Sequence, residues 1–351
     1  MLKQPLLICL ILILTAATAT SQDVRFSQYF TLSSWLNPGL SGQYDGKYRL
    51  SAIYRDQWRG TLDESIASFG FGADTQFDVR KKRQYTDKVS VGILLLNDRS
   101  RINDFNTNHI DLNGAYHKLL DNASNRYLSL GVSIGITQFG FNYNDVIFGD
   151  QFNGIDDYSQ PTSELFPPNS VAVGDLSLGL VFSTDIDEDK NFRIGLSAHH
   201  FNQPNKSFFN QIEDVNLSFN TNDALPVRIG AFAMSQINMS KTARITPRIV
   251  WNRQHTVQEF HAGATYRQLF YTRKNTAVHL GVYASISDHL ESTHFNSLTG
   301  LIGFEVQNMI LGFSYERLMD DLSAFSGFGS FELSISYIGN FEDSGEFCPT
   351  F

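Results

Sequence analysis

The sequence predicts a closed, membrane-spanning barrel of about fourteen antiparallel β-strands. From Tyr127 to Phe139, apolar residues alternate with Ser, Gly and Thr, and the pattern recurs at 176–182 and 331–337. Successive side chains of a strand point to opposite faces, so such strands can separate lipid from water. After the first residues no run of 18 apolar residues occurs, which excludes spanning helices. The 29 Phe, 14 Tyr and 26 Gly suit a barrel with aromatic girdles.

The chain begins with the pattern of a secretion signal, which we assign to residues 1–21. Lys3 supplies the positive charge, residues 6–14 form a short apolar run, and residues 17–21 are a zone of small residues suited to cleavage. The mature N-terminus is therefore expected near Gln22. Residues 22–46 are too aromatic for a bare tail and are expected to pack into the lumen or along its periplasmic mouth. The barrel is assigned to residues 47–340 and a C-terminal tail to residues 341–351.

Period-two segments bounded by turn signals define the individual strands. The predicted spans are 47–58, 65–77, 88–97, 107–118, 126–139, 173–183, 192–201, 225–238, 243–253, 257–269, 277–287, 297–306, 309–318 and 329–340. An even number places both termini on one side of the membrane, which for a secreted barrel is the periplasm. The connections on that side are short, whereas the opposite set contains the long loops 140–172 and 202–224, an asymmetry typical of bacterial barrels.

Charge and cysteine content exclude several classes of function. The net charge of −9 argues against a nucleic-acid partner. Only Cys348 remains after signal removal, so no internal disulfide can form, and structural zinc or an iron–sulfur cluster would need more thiols. We expect no metal and no cofactor. The basic cluster Arg80–Arg83 falls at a predicted periplasmic turn, as a solvated turn or as a contact for an acidic partner.

Catalysis is not expected either. Ser197 and His199 share one face of a predicted strand, but no nucleophile motif accompanies them. We therefore predict that the protein is not an enzyme and has no catalytic residues.

The first strand carries arginines whose direction can be predicted. Arg49, Ser51, Arg55 and Gln57 share one face, and an arginine in contact with lipid at mid-depth costs about 2–4 kcal/mol, so this face should point inward. Two partners for these arginines remain open. They could hold the 22–46 segment through Asp23 or Asp45, or they could pair with lumen carboxylates of later strands, namely Glu305, Glu316 and Glu332.

Four short motifs stand out from generic barrel sequence. They are Phe26-Ser27-Gln28-Tyr29-Phe30, Leu36-Asn37-Pro38-Gly39-Leu40-Ser41-Gly42, Tyr54-Arg55-Asp56-Gln57-Trp58 and Leu94-Leu95-Leu96-Asn97-Asp98. Pro38 fixes its own φ and biases Asn37 away from helix, so the second motif should form a rigid turn. In this order and spacing the motifs resemble those of the PorP/SprF family of type IX secretion membrane proteins. Gly39 in place of Ala and Asp56 in place of Asn are small departures.

The resemblance implies a non-enzymatic outer-membrane protein of a Bacteroidota-like bacterium, with both termini periplasmic. It would support secretion or surface attachment of adhesin-like cargo. The implied partners are type IX secretion machinery proteins, cargo C-terminal sorting domains and outer-membrane lipid. Candidate partner or plug residues are Phe26, Ser27, Gln28, Tyr29, Asn37, Pro38, Tyr54, Arg55, Gln57, Trp58, Asn97 and Asp98. A girdle position at the membrane–water boundary would explain Tyr54 and Trp58 equally well.

A second function remains open from the sequence. A transport pore or hydrophobic-ligand channel, resembling a fourteen-stranded fatty-acid transporter, would share the strand number and the inward N-terminal segment. The strand number and the N-terminal segment are therefore consistent with both the channel hypothesis and the secretion hypothesis.

Overall fold

The computed structural model describes residues 23–57, 65–82, 85–100, 104–121, 123, 125–143, 146–164, 166–211, 223–271, 276–289, 292–319 and 329–340. The predicted signal segment, Trp58, Cys348 and the tail 341–351 lie outside these residues, as do the side chains of the basic cluster Arg80–Arg83. Among the described residues, no helix is long and apolar enough to cross a membrane.

Within the described residues, fourteen antiparallel strands form one closed ring, as predicted. Each strand pairs with its neighbours in sequence, and the last strand pairs with the first, from Tyr48 opposite Gly339 to Gln57 opposite Ser330. The strands are β1 (Tyr48–Gln57), β2 (Ile66–Lys82), β3 (Tyr85–Ser100), β4 (Phe105–Asp121), β5 (Arg126–Gly140), β6 (Ser170–Asp187), β7 (Lys190–His199), β8 (Arg228–Asn238), β9 (Ala243–Gln254), β10 (Val257–Tyr271), β11 (Thr276–His289), β12 (Ser292–Val306), β13 (Met309–Leu318) and β14 (Ser330–Gly339).

The observed bounds agree with the predicted spans to within a few residues at most ends. The largest differences are at the end of β2, at the end of β6 and at the start of β12, which begins at Ser292 and not at the predicted 297. A register shift between Asp78 and Arg80 lets β2 pair as far as Lys82. A similar shift follows Asp185 in β6. These extensions contain mainly polar residues, so apolar alternation does not predict them.

The outer face of the ring is apolar and the inner face is largely polar. On β5, Leu130 is 58% exposed and Ile134 is 62% exposed, whereas Ser129 and Ser133 are buried. Because the ring has no free edge, the strand backbones satisfy their hydrogen bonds within the protein, as a bilayer requires. The predicted register, with the leucines and isoleucines towards lipid, is confirmed.

The two ends of the ring differ in their connections. We call the end where β1 begins and β14 ends the turn end, since only short connections such as 239–242 and 307–308 occur there. The opposite end, the loop end, carries the long connections 141–169 and 200–227. The long connections lie at the loop end as predicted, but 101–104, 255–256 and 290–291 at that end are as short as the turn-end connections, so short and long connections alternate only in part.

Residues 23–46, the lumen segment, run through the ring from the loop end to the turn end. The segment contains a short helix α1 (Ser33–Leu36) followed by a 3-10 helix (Pro38–Leu40). Asp23 lies beside the loop-end residues His200 and Gln254, and Tyr44 lies beside Asp74 towards the turn end. The segment therefore fills the lumen along its length rather than only its mouth.

Part of the inner face is apolar where it meets the lumen segment. Phe26 and Leu32 pack against Ile53, Leu94 and Leu96 of β1 and β3. Leu40 packs in a second cluster, formed with Val181, Phe232 and Val250. Inward apolar side chains are stable here because the segment, and not water, covers them.

Candidate functional site

The candidate site consists of the lumen segment and the inward side chains that hold it. The predicted segment motifs, 26–30 and 36–42, both lie inside the ring and contact opposite parts of its wall. Three groups of polar contacts hold the segment: one near the loop end around Asp23, one around Arg55, and one near the turn end around Asp74.

Arg55 forms the centre of a buried ion-pair network. Its Nη1 donates to Glu332 at 2.8 Å and its Nη2 to Glu316 at 2.6 Å. The same Glu332 carboxylate accepts the backbone N–H of Ser27 at 2.6 Å and of Gln28 at 2.9 Å. Two of the three predicted carboxylate partners, Glu316 and Glu332, thus pair with Arg55, whereas Glu305 pairs with Arg267 and His279. Arg55 also holds the segment, but through Ser27 and Gln28 and not through Asp23 or Asp45.

The rest of motif 26–30 spans the lumen. The Gln28 amide donates to Ser314 at 3.0 Å and accepts from Ser334 at 2.7 Å, on β13 and β14. Phe30 lies 4.2 Å from the Arg248 guanidinium on β9. Tyr29 packs edge-on against Tyr283 on β11, with ring centroids 6.0 Å apart. Gln28 therefore binds β13 and β14, whereas Tyr29 and Phe30 contact β9 and β11 on another part of the wall.

The Asn37-Pro38-Gly39 turn docks onto a smooth patch of β5 and β6. The Asn37 side chain accepts the Gly39 N–H at 2.8 Å and donates to the Leu196 carbonyl at 2.8 Å. Below the turn lie Gly131 and Gly179, where an added Cβ would collide with the Pro38–Gly39 backbone or with the Asn37 side chain. The predicted rigid turn is present, and these two glycines permit its close approach.

At the loop end, Asp23 is held by two cations. His200 Nε2 lies 2.8 Å from the Asp23 carboxylate and Arg228 Nε lies 3.2 Å from it, while His200 Nδ1 contacts Asp175 at 2.7 Å. Burial alone would raise the pKa of Asp23, but His200 and Arg228 hold that pKa well below its usual range. Burial would lower the pKa of His200, but Asp23 and Asp175 raise it to about 9.

Near the turn end, Asp74 of β2 collects three contacts. Its carboxylate pairs with Arg49 at 2.8 Å and accepts the Gly42 N–H at 2.7 Å. The Tyr44 hydroxyl donates to the Asp74 carbonyl at 2.7 Å, and the Arg49 guanidinium lies 4.6 Å from the Tyr44 ring. Arg49 and Arg55 thus both face inward, as predicted, and both stabilise the segment.

Other predicted site residues lie away from the segment. Tyr54 points outward, with its ring 6.3 Å from Phe331, and Asn97 points outward and donates to Asn108 at 2.7 Å. Asp98 faces inward and accepts from Ser68. Gln57 ends the β1 ladder opposite Ile66 and Ser330, and Trp58 lies outside the described residues.

Ser197 and His199 both serve the lumen segment. The Ser197 hydroxyl donates to the Leu36 carbonyl at 3.1 Å, and the His199 ring lies 5.9 Å from the Trp35 ring while its Nδ1 contacts the Ser177 hydroxyl of β6. The described residues hold no cluster of three or more His, Cys, Asp or Glu side chains suited to a metal ion.

Sequence reasoning missed two parts of the site. It did not find the pairing of Asp23 with His200 and Arg228, because nothing local in sequence links positions so far apart. It also missed the inward direction of Leu94 and Leu96. The unbroken run 93–96 was the available signal, since alternate members of an apolar run on one strand cannot all face lipid.

Comparisons with known proteins give one family. The family model described as "Type IX secretion system membrane protein PorP/SprF" matches residues 18–337. No curated protein matches significantly. Similar solved structures include a FadL homologue of Pseudomonas aeruginosa, with TM-score 0.49 and 10% identity over 87% of this chain and 93% of that chain. The Ralstonia pickettii toluene transporter TbuX gives TM-score 0.46 and 9% identity over 88% and 93%.

The first prediction concerns the Arg55 network. Replacing Arg55 by Met leaves Glu316 and Glu332 buried without their shared cation, which should lower the free energy of unfolding by about 3–5 kcal/mol. Denaturant unfolding in lipid vesicles measures the change. Arg99→Met is the matched control, because Arg99 is 55% exposed and solvent weakens its pair with Asp104. Equal effects of the two substitutions would contradict the role assigned to Arg55.

The second prediction concerns the glycine surface on which the Asn37–Gly39 turn packs. Gly179→Ala should displace the Asn37–Gly39 turn and destabilise the protein by about 1–3 kcal/mol. Trypsin cleavage at Arg25 and Lys47 should then become faster. Gly174→Ala, on the same strand, is the control, since a Cβ there meets no atom within 4 Å. Wild-type cleavage rates in both variants would count against the docking of the turn on β6.

The third prediction concerns pH. Protonated His200 stabilises the attachment of Asp23, and its pKa is raised to about 9. The stabilisation should be complete below about pH 6.5 and disappear as the pH rises through about 9. Hydrogen exchange of residues 23–27, corrected for intrinsic rates, measures this loss. In His200→Gln the dependence should vanish over that interval; its persistence would assign it to another group.

Proposed function

Because the chain belongs to the PorP/SprF family of type IX secretion system membrane proteins, we propose that it is a non-enzymatic scaffold of that secretion route. It supports the secretion or surface attachment of adhesin-like cargo by docking machinery proteins or the sorting domains of cargo. Its place is the outer membrane of a Bacteroidota-like bacterium.

The occupied lumen is the observation that carries this proposal. Buried charge pairs hold the lumen segment at Asp23, Arg55 and Asp74, and apolar clusters fill the space between them. A barrel filled in this way is a rigid ring with loops on it, and its surfaces are what remains for other proteins to bind. Energy for export then comes from other components.

The connections support the orientation that we propose. Bacterial barrels have short periplasmic turns and longer outer loops. The turn end of this ring therefore faces the periplasm and machinery components there, and the loop end faces outward towards cargo. Tyr48 and Gly339, the two ends of the ring, then lie at the periplasmic end, whereas Asp23 lies at the outer end of the lumen, so the proposal keeps the predicted periplasmic placement for the ends of the ring and not for the start of the lumen segment.

The alternative is a transport pore or hydrophobic-ligand channel. It requires a continuous path through the ring, and the lumen segment stands in that path. The protein as it exists should therefore show no steady conductance in planar bilayers.

Two measurements together test the proposal. In a deletion strain, sorting-domain cargo should disappear from the cell surface and return on complementation, while the purified protein should leave planar bilayers non-conducting. Steady conductance combined with undisturbed export in the deletion strain would reject the secretion role and favour the channel.

A further inference from the structure

An aromatic cavity lies at the loop end, outside the site described above. Its volume is about 740 Å³, and it lies between the connections 141–169 and 200–227 at the ends of β4 and β5. Phe139 of β5 contributes to its lining. The other aromatic side chains come from both long connections and include Phe141, Tyr143, Phe148, Phe166 and Phe208.

The aromatic wall is held together by its own contacts. The Tyr143 and Phe166 ring centroids are 4.9 Å apart, those of Phe148 and Phe166 are 5.3 Å apart, and those of Phe141 and Tyr143 are 5.0 Å apart. Such ring pairs are favourable beyond the area they bury. The cavity is therefore formed before any partner arrives, which reduces the entropy cost of binding.

The charged side chains that line the cavity are acidic on balance, with Glu164 and Asp223 against Lys206. The connection 141–169 contains five carboxylates and no Lys, Arg or His. One of them, Glu164, lines the cavity. On the opposite wall Lys206 lies 3.9 Å from the Asp223 carboxylate, so that its charge is offset locally. A cationic partner is thus favoured and an anionic one is opposed.

Apolar surface continues beyond the cavity along the same connection. Ile155 is 84% exposed, Ile147 is 67% exposed and Tyr158 is 50% exposed. Exposed apolar surface of this kind next to a pocket is typical of a macromolecular contact. A small ligand could fill the cavity but would leave these side chains in water.

We propose that this loop-end cavity docks a basic polypeptide segment, which inserts an apolar side chain among Phe141, Tyr143, Phe148 and Phe166 while its Lys or Arg residues face the acidic rim. Buried aromatic anchors within a polar rim form the energetic centre of many protein interfaces. The anionic headgroup of an outer-membrane lipid would instead meet Glu164. The inference rests on the proposed function only in taking the loop end as the outer face.

Photo-crosslinking in living cells tests the proposal on the full chain. Benzoylphenylalanine replaces Phe166 in the cavity, and in a separate strain it replaces Met239, which is 65% exposed in a turn-end connection. The Phe166 probe should crosslink to a secreted polypeptide, at a peptide that carries an apolar residue flanked by Lys or Arg. The Met239 probe should not give this product.

A charge-reversal variant provides the second test of the proposal. Glu164→Lys combined with Asp223→Lys, both at the cavity, should lower the Phe166 crosslink roughly tenfold, and it should weaken binding of a synthetic peptide with the crosslinked sequence to the purified protein by a similar factor. Asp187→Lys at the turn end is the matched control and should change neither. Heat-modifiable migration of each variant verifies that the barrel has folded.

Three results would overturn the proposal: a crosslink to lipid alone, no crosslink from Phe166, or a crosslink that charge reversal leaves unchanged. Cargo display is measured in the same strains. Intact display in the deletion strain would refute the proposed function, while the Phe166 crosslink would still decide whether the cavity binds a basic segment.

Discussion

A lipid bilayer offers the polypeptide backbone no water, and this constraint shapes the whole molecule. Each N–H and C=O that meets hydrocarbon needs a partner within the protein, and a closed ring of strands provides one for every strand. Closure also forces alternate side chains inward. The interior of fourteen strands then has to be filled with something other than lipid, and in this protein the lumen segment fills it.

The filling explains why the inner wall combines charge with apolar residues. Arg49 and Arg55 cannot face lipid. Inside the ring each pairs with a carboxylate, and that carboxylate also accepts a backbone N–H of the segment. Exposure of Ile53 and Leu94 to lumen water would be unfavourable, and packing against Leu32 removes them from water. The inner wall is thus complementary to one particular peptide segment, which distinguishes this barrel from a water-filled pore.

The sequence predicted the ring well, because membrane strands carry their face assignment in a local period of two. Strand number, register and the split between short and long connections all followed from it. The candidate site was only partly predictable. Glu316 and Glu332 were among three lumen carboxylates predicted as possible partners of the first-strand arginines, because few inward carboxylates exist. Asp23 and His200, in contrast, are 177 residues apart and share no local pattern. Tyr54 and Asn97 belong to motifs yet point outward, since a motif on a strand spans both faces.

One strand pair of the ring lacks a hairpin. β1 and β14 are joined by the longest path along the chain, and Ser27 and Gln28 lie against this seam, bound at once to Arg55 or its partner Glu332 and to the neighbouring β13–β14 side chains. The lumen segment therefore connects β1 with β13 and β14 across the junction of the first and last strands. Withdrawal of the segment would leave the backbone ladder of β1 and β14 in place but remove the side-chain contacts that reinforce it, so the strength of the ring closure depends in part on whether the lumen is filled.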